Sequence, residues 1–440
     1  MLLLYVLFII LLGQFRFSKE DYILPTSLFA NAFQITEKPI PLKLTHIKYL
    51  TFFIFFIGLY FGGRYCVNTL ALFVVVAIIG FFIEGIRPIK EFPKLLLIPI
   101  GFAILHIISS FYSSNQFEAQ FDLEVKFSFL ILPIIFGLQK NNSKIDFIII
   151  LRLFSVASII SLLVLMGING LKYFETGNML FYNEYSYLLH PSYLSMYLSF
   201  NILIAVFLLS QKKGNTYCLV FSIVLSLINI YIAESKAGQL TTLILVVFIA
   251  FKLIPAKFRK FALIFSIILV LIFGYLAKDG KRFSFFVDAI EHYSDIVGNP
   301  EEVTESTAMR ILAWSASYQV ISENPIFGVG NGDIKDELSV VYAERKFIKP
   351  LEMHMNSHNQ YLETGVGQGL LGLSILLLLL FLPLYLIKEY PIITQGFILI
   401  VALNILVESM FNTQAGVIFI VFFYSFIFSN LGIKSKDTII

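Results

Sequence analysis

Charge is scarce in this sequence. Asp, Glu, Lys and Arg make up 14% of its 440 residues, against about 25% in an ordinary soluble domain. The formal net charge of +3 is too small to argue for nucleic acid as a partner. Cysteine is nearly missing. Cys66 and Cys218 both lie inside apolar runs; they are too few for a disulfide framework and are not spaced for zinc. They read as small residues of a core or of a lipid-facing surface. Residues 1–15 lack a basic leading region and an Ala-x-Ala cleavage site, which argues against a signal peptide. That stretch is either a further short span or an interfacial helix. No repeat of fixed period is present, which excludes a solenoid.

What is abundant is apolar. Hydrophobic residues account for 58% of the chain, with 47 phenylalanines, and their long uncharged runs place it in a bilayer. The runs cover 46–62, 66–83, 92–110, 126–138, 145–166, 191–210, 216–233, 237–254, 259–277, 361–387, 392–407 and 411–429, about twelve spans. The expected fold is an all-α polytopic membrane protein with one large helical outer-face loop before its last three spans. Residues 1–45 form a hydrophobic or interfacial segment and 46–277 the first nine spans. Residues 278–360 form the outer loop, 361–430 the last three spans and 431–440 a tail.

Basic residues in the short loops set the orientation. One set of loops holds Lys38, Lys43 and Lys48, then Arg87, Lys90 and Lys94, then Lys140 and Lys144, Lys212 and Lys213, Lys252, Lys257, Arg259 and Lys260, and finally Lys388, Lys434 and Lys436. The alternate set holds little beyond Arg64, Lys172 and Lys236, with Lys126 at a boundary. Both flanks of the bundle are therefore expected in the cytoplasm and the 278–360 segment outside. In that segment, residues 284–296 have helical apolar spacing. Thr304–Ser306 offers N-caps for a helix over 307–322 that Asn324-Pro325 ends. Gly328-Val-Gly-Asn-Gly forces a turn, and a helix over 333–346 follows.

The outer segment also concentrates the chemistry. Arg310 sits one helical turn before Trp314. It is either a bidentate grip on phosphate or a solvated arginine stacked on the ring. His354 and His358, four apart, read as metal ligands only if a third is found; Glu352, Glu363 or a distant group would have to serve, and none stands at a diagnostic spacing. His358 with Asn359 reads otherwise as a general base or as a polar cap on the next span. Gly328 and Gly330 belong to no dinucleotide fingerprint, although their loop offers backbone amides to an anion. Gly365, Gly367, Gly369 and Gly372 favour close helix contact. Lys236 lies at an outer boundary poor in basic charge, as a snorkelling side chain or a second phosphate cation. His190 opens a span on the same side. Glu408 ends a late one, where a carboxylate is costly unless paired or functional.

Three blocks, taken in order, resemble the bacterial O-antigen ligase and O-antigen polymerase superfamily. They are Ser235-Lys236 before a span; Arg310, Trp314, Asn324-Pro325, Gly328 and Gly330; and His358-Asn359 with Leu362 leading to Gly365. The resemblance implies a metal-independent glycosyltransferase without cofactor, multi-pass in the bacterial inner membrane with its active loop in the periplasm. The donor would be an undecaprenyl-pyrophosphate-linked glycan. The acceptor would be lipid A–core, a lipid-linked repeat or a protein. Arg310 and Lys236 map onto pyrophosphate-binding positions, where lysine keeps the charge but loses the guanidinium fork. His358 maps onto the base that activates the acceptor hydroxyl. The resemblance also implies that the Arg310 helix turns Ile311, Ser315 and Tyr318 toward the bundle. The alternative is a polysaccharide or lipid-linked-sugar transporter, which would be expected to show related halves and broken helices at the midplane.

Overall fold

A computed structural model describes residues 44–139, 147–186, 189–255, 298 and 300–431. The expected spanning run 259–277, the helix at 284–296 and residues 1–43 fall outside these. In chain order the helices are α1 (Leu44–Phe61), α2 (Gly63–Glu84), α3 (Leu97–Tyr112), α4 (Gln116–Lys126), α5 (Ser128–Leu138), α6 (Phe147–Thr176), the single turn α7 (Tyr182–Tyr185), α8 (Pro191–Ser210), α9 (Thr216–Ile232) and α10 (Lys236–Leu253). They continue with α11 (Ser306–Glu323), α12 (Ile334–Glu344), the short α13 (Ile348–Glu352), α14 (Gln360–Leu386), α15 (Pro391–Val407) and α16 (Gln414–Asn430). Seven helices among the described residues are long and apolar enough to cross a membrane, and α9, α15 and α16 are shorter apolar helices. The fold is all-α and polytopic. The expected span at 126–138 is only the 11-residue α5, which is about 16 Å long. The helix at 147 runs to Thr176, about 45 Å, longer than the hydrocarbon core.

The chain divides into two compact units. One comprises Met1–Arg87 with Gln139–Ser235, and its core is aromatic. Phe52, Phe55, Phe56, Tyr60, Phe154, Tyr197 and Phe200 are all fully buried, which suits helices whose apolar surface extends all round. Several polar groups inside it pair with one another: Tyr60 Oη lies 2.6 Å from Ser158 Oγ, and Asn201 Nδ2 donates to Ser222 and Ser226. Unpaired they would be expensive in hydrocarbon.

The other unit comprises Pro88–Leu138 with Lys236–Ile440 and holds residues 300–360 of the segment expected outside. That segment has a core of its own, in which Leu312, Ala313, Ala316, Leu338, Tyr342 and Phe347 are buried together with Val366 of α14. The buried stripe of α11 is Ala308, Met309, Leu312, Ala313, Ala316, Ser317 and Val320. The expected inward face is therefore wrong: Tyr318 is 72% exposed, and Ile311 and Ser315 are half-buried. Ala308, Ala313, Ala316 and Ser317 let this interface pack closely, whereas the resemblance points to the side of Tyr318. Glu305 caps α11 by accepting from Thr307 N and Ala308 N, and Asn324 ends it.

The glycine-rich turn is a structural plug. Within α14, Gly369 has φ 62° and ψ −157° and interrupts the helix. The loop fills the gap: Val329 N donates to Val366 O, Gly330 N to Gly367 O, Leu370 N to Pro325 O and Leu371 N to Ile326 O. A Cβ on Gly369 would stand 2.4 Å from Ile326 O, and one on Gly328 2.5 Å from Val366 O. Glycine is needed at both positions for its positive φ and for this approach. On its other side the loop is anchored to α3 and α4. Asp333 accepts from Ser114 N and Asn115 N, each at 2.7 Å. Asn331 Nδ2 donates to Asp122, which also pairs with Lys126. One expectation holds and one changes here. The α14 glycines do permit close helix contact, Gly365 against Ile321 of α11 and Gly367 against Ile334 of α12, while Gly369 receives the loop. The loop amides hold no anion: those from Gly328 to Asp333 already donate within the protein.

Candidate active site

Residues 354–359 lie between α13 and α14 and follow no helix. His354 and His358 both have left-handed backbone, φ 46° and 44°, so they do not share a helical face. His354 is exposed and His358 half-buried. A non-glycine residue in this region is strained and persists only where its surroundings hold it. Three successive amides do the holding here. Ser357 N donates to Glu363 Oε2 at 2.8 Å, His358 N to Asn356 Oδ1 at 2.8 Å, and Asn359 N to Ser409 Oγ at 3.2 Å. Asn359 Oδ1 in turn accepts from Tyr361 N and Leu362 N and caps α14. Tyr342 closes the loop from below, donating to Met355 O. Burial pushes its phenol well above the ordinary range, and the Glu363 charge adds to this, so it stays a neutral donor.

The α15–α16 connection supplies the partner of His358. Glu408 follows the last turn of α15 and is mostly buried. Its Oε1 lies 3.0 Å from His358 Nδ1. The two atoms are close without a well-aligned hydrogen bond. Glu408 Oε2 lies 3.5 Å from an Arg310 guanidinium nitrogen on α11. One carboxylate thus stands between the arginine and the histidine. The partner shown for Arg310 is Glu408 rather than the Trp314 ring, and Trp314 Nε1 is buried without a hydrogen-bond partner among the described residues.

Lys236 is the exposed first residue of α10. α10 packs on α15 with Thr241 Oγ1 3.5 Å from Asn404 Nδ2. Thr241 is near the start of α10 and Asn404 near the end of α15, so the two helices run in opposite directions. Lys236 lies about 7.5 Å along the axis from Thr241, and Glu408 about 6 Å from Asn404. Both therefore occupy the same end of the helix pair. Gly328 and Gly330 sit in the plug. His190 belongs to the first unit, where its ring accepts from Ser192 N and caps α8.

Glu363, Ser409 and Asn412 did not emerge from the sequence as site-forming residues. Glu363 figured only as a possible metal ligand, although an acid in the first turn of an apolar span is the same signal that marked Glu408. Ser409 and Asn412 carry no comparable signal; only the folded chain brings them beside residues 357–363.

Residues 221–377 match the family described as O-antigen ligase. The match takes in Lys236, Arg310, Trp314 and His358, and stops short of Glu408. An uncharacterized protein of Haemophilus influenzae is 35% identical over 95 residues. That stretch is 21% of this chain and spans only 24% of the relative's length. This match over residues 221–377 supports the resemblance to the O-antigen ligase and polymerase superfamily.

Proposed function

We propose that the protein transfers a glycan from an undecaprenyl-pyrophosphate-linked donor to an acceptor hydroxyl on the periplasmic face of a bacterial inner membrane. The observation that carries this reading is the Glu408 carboxylate lying against both His358 and Arg310. With Nδ1 turned to the carboxylate, Nε2 of His358 is left to take the acceptor proton, and Glu408 stabilises the imidazolium that forms. The acceptor oxygen attacks the anomeric carbon as the bond to the pyrophosphate oxygen breaks. Undecaprenyl pyrophosphate leaves with the electron pair, and the linkage inverts. Arg310 and Lys236 meet the charge on the leaving group. Arg310 holds Glu408 only at 3.5 Å, a contact it can exchange for the donor's phosphates.

The reaction needs no metal in this scheme, so transfer survives EDTA. The acceptor class is open to a direct test. Deleting the gene in its host and running surface glycans on gels gives uncapped lipid A–core for a ligase, single repeats on the core for a polymerase, and unmodified glycoprotein for a protein glycosyltransferase. His358→Ala and Arg310→Ala, each expressed in the deletion strain, leave folded protein and abolish transfer. Normal surface glycan in either strain defeats the proposal.

A further inference from the structure

Glu363 is 3% exposed, and both of its oxygens are taken by neutral donors. Oε2 accepts from Ser357 N at 2.8 Å and Oε1 from Asn412 Nδ2 at 2.7 Å. A buried carboxylate with only neutral donors is costly, and the α14 N-terminus offsets part of that cost. What the two bonds join is specific. Ser357 is the residue before His358, and Asn412 closes the short turn that begins at Glu408, in which Met410 N donates to Glu408 O and Asn412 N to Ser409 O. Glu363 thus joins the two loops that carry the His358–Glu408 contact, alongside the bonds from Asn359 N to Ser409 Oγ and from Phe411 N to Gln360 Oε1. We infer that Glu363 is a positioning residue of the reaction, setting the approach of His358 to Glu408 by tying the 354–359 loop to the 408–412 turn.

This rests on the glycan-transfer reading, with His358 as base. The two carboxylate oxygens of Glu363 are what let both bonds form. Glutamine in its place has one oxygen and one nitrogen, so one of the two donors then faces an amide hydrogen. Asn412→Asp creates the opposite fault, a second carboxylate facing the first. Combining the changes restores both bonds with the polarity of one reversed: the introduced glutamine amide donates to the new carboxylate, and its oxygen still accepts from Ser357 N.

The test uses the full chain in proteoliposomes, with lipid-linked glycan extracted from the host membrane as donor and release of undecaprenyl pyrophosphate as the readout. Turnover is counted per donor-binding site, which removes any misfolded fraction. E363Q and N412D each lower kcat about tenfold, with the donor KM within about twofold of wild type. E363Q/N412D returns kcat to within about threefold of wild type. Unchanged turnover in E363Q overturns the inference, as does a double variant no better than the singles. Loss of folded protein in all three makes Glu363 a folding residue and overturns it too. H358A is run alongside. If it keeps full turnover, the transfer reading itself fails, whatever Glu363 does.

Discussion

Glu408 Oε1 lies 3.0 Å from His358 Nδ1, and the two residues reach that contact from loops fifty positions apart. The same carboxylate touches Arg310 with its other oxygen. Replacing it separates orientation of the base from binding of the donor. Glu408→Gln is expected to lower turnover about 10- to 100-fold, the usual loss when the group orienting an imidazole is removed. Donor affinity is expected to hold or rise, because Arg310 loses a competitor for phosphate. Undecaprenyl pyrophosphate release and donor binding, measured on the same preparation, check both halves. Wild-type turnover would show that the carboxylate does not serve the histidine.

The break in α14 gives a stability prediction. Gly369→Ala puts a Cβ at φ 62° and against Ile326 O. Strain and overlap together cost about 2–5 kcal/mol, read as a fall in the midpoint of thermal unfolding in detergent. Gly101→Ala is the control. Nothing lies within 4 Å of a Cβ there, and the change is expected to stay within about 1 kcal/mol.

Asp333 anchors the loop from the other side through two 2.7 Å bonds to the Ser114 and Asn115 amides. Asp333→Asn can accept only one of them and costs about 1–3 kcal/mol. Limited proteolysis of vesicles should then cut within residues 324–333 faster than in the wild type. An unchanged cleavage pattern would mean that the pairing to α14 suffices to seat the loop.

Topology is tested with single cysteines in a C66S/C218S background. Ser322 and Lys213 are both exposed. Ser322→Cys is expected to react with a membrane-impermeant maleimide in intact spheroplasts, and Lys213→Cys only after permeabilisation. The reverse pattern would place the outer segment in the cytoplasm, away from any periplasmic donor.

Among the described residues, most of the spans and the helices α11 and α12 were legible because each is encoded locally. Apolar runs mark α14 to α16, and Asn324-Pro325 stops α11. The plug was not legible, since Val329 and Gly330 find their carbonyl partners more than thirty residues away. Composition gave no hint that α14 opens at Gly369 to receive them. The candidate site was legible in type more than in arrangement. Arg310, His358 and Glu408 each stood out as polar groups in an apolar chain, yet no local pattern says that one carboxylate meets both of the others. Glu363 reads in sequence like any acid in a first helical turn, and its tie to Asn412 exists only once α15 and α16 are in place.

The four main-chain bonds across the opening at Gly369 also have a mechanical consequence. They fasten the outer segment to α14 by backbone, so neither can slide past the other without losing all four. A bilayer that mismatches the length of a span makes it tilt, and here the tilt passes directly to the segment bearing Arg310. If the segment faces the periplasm as proposed, hydrocarbon thickness would then bear on where the arginine stands relative to the lipid headgroups.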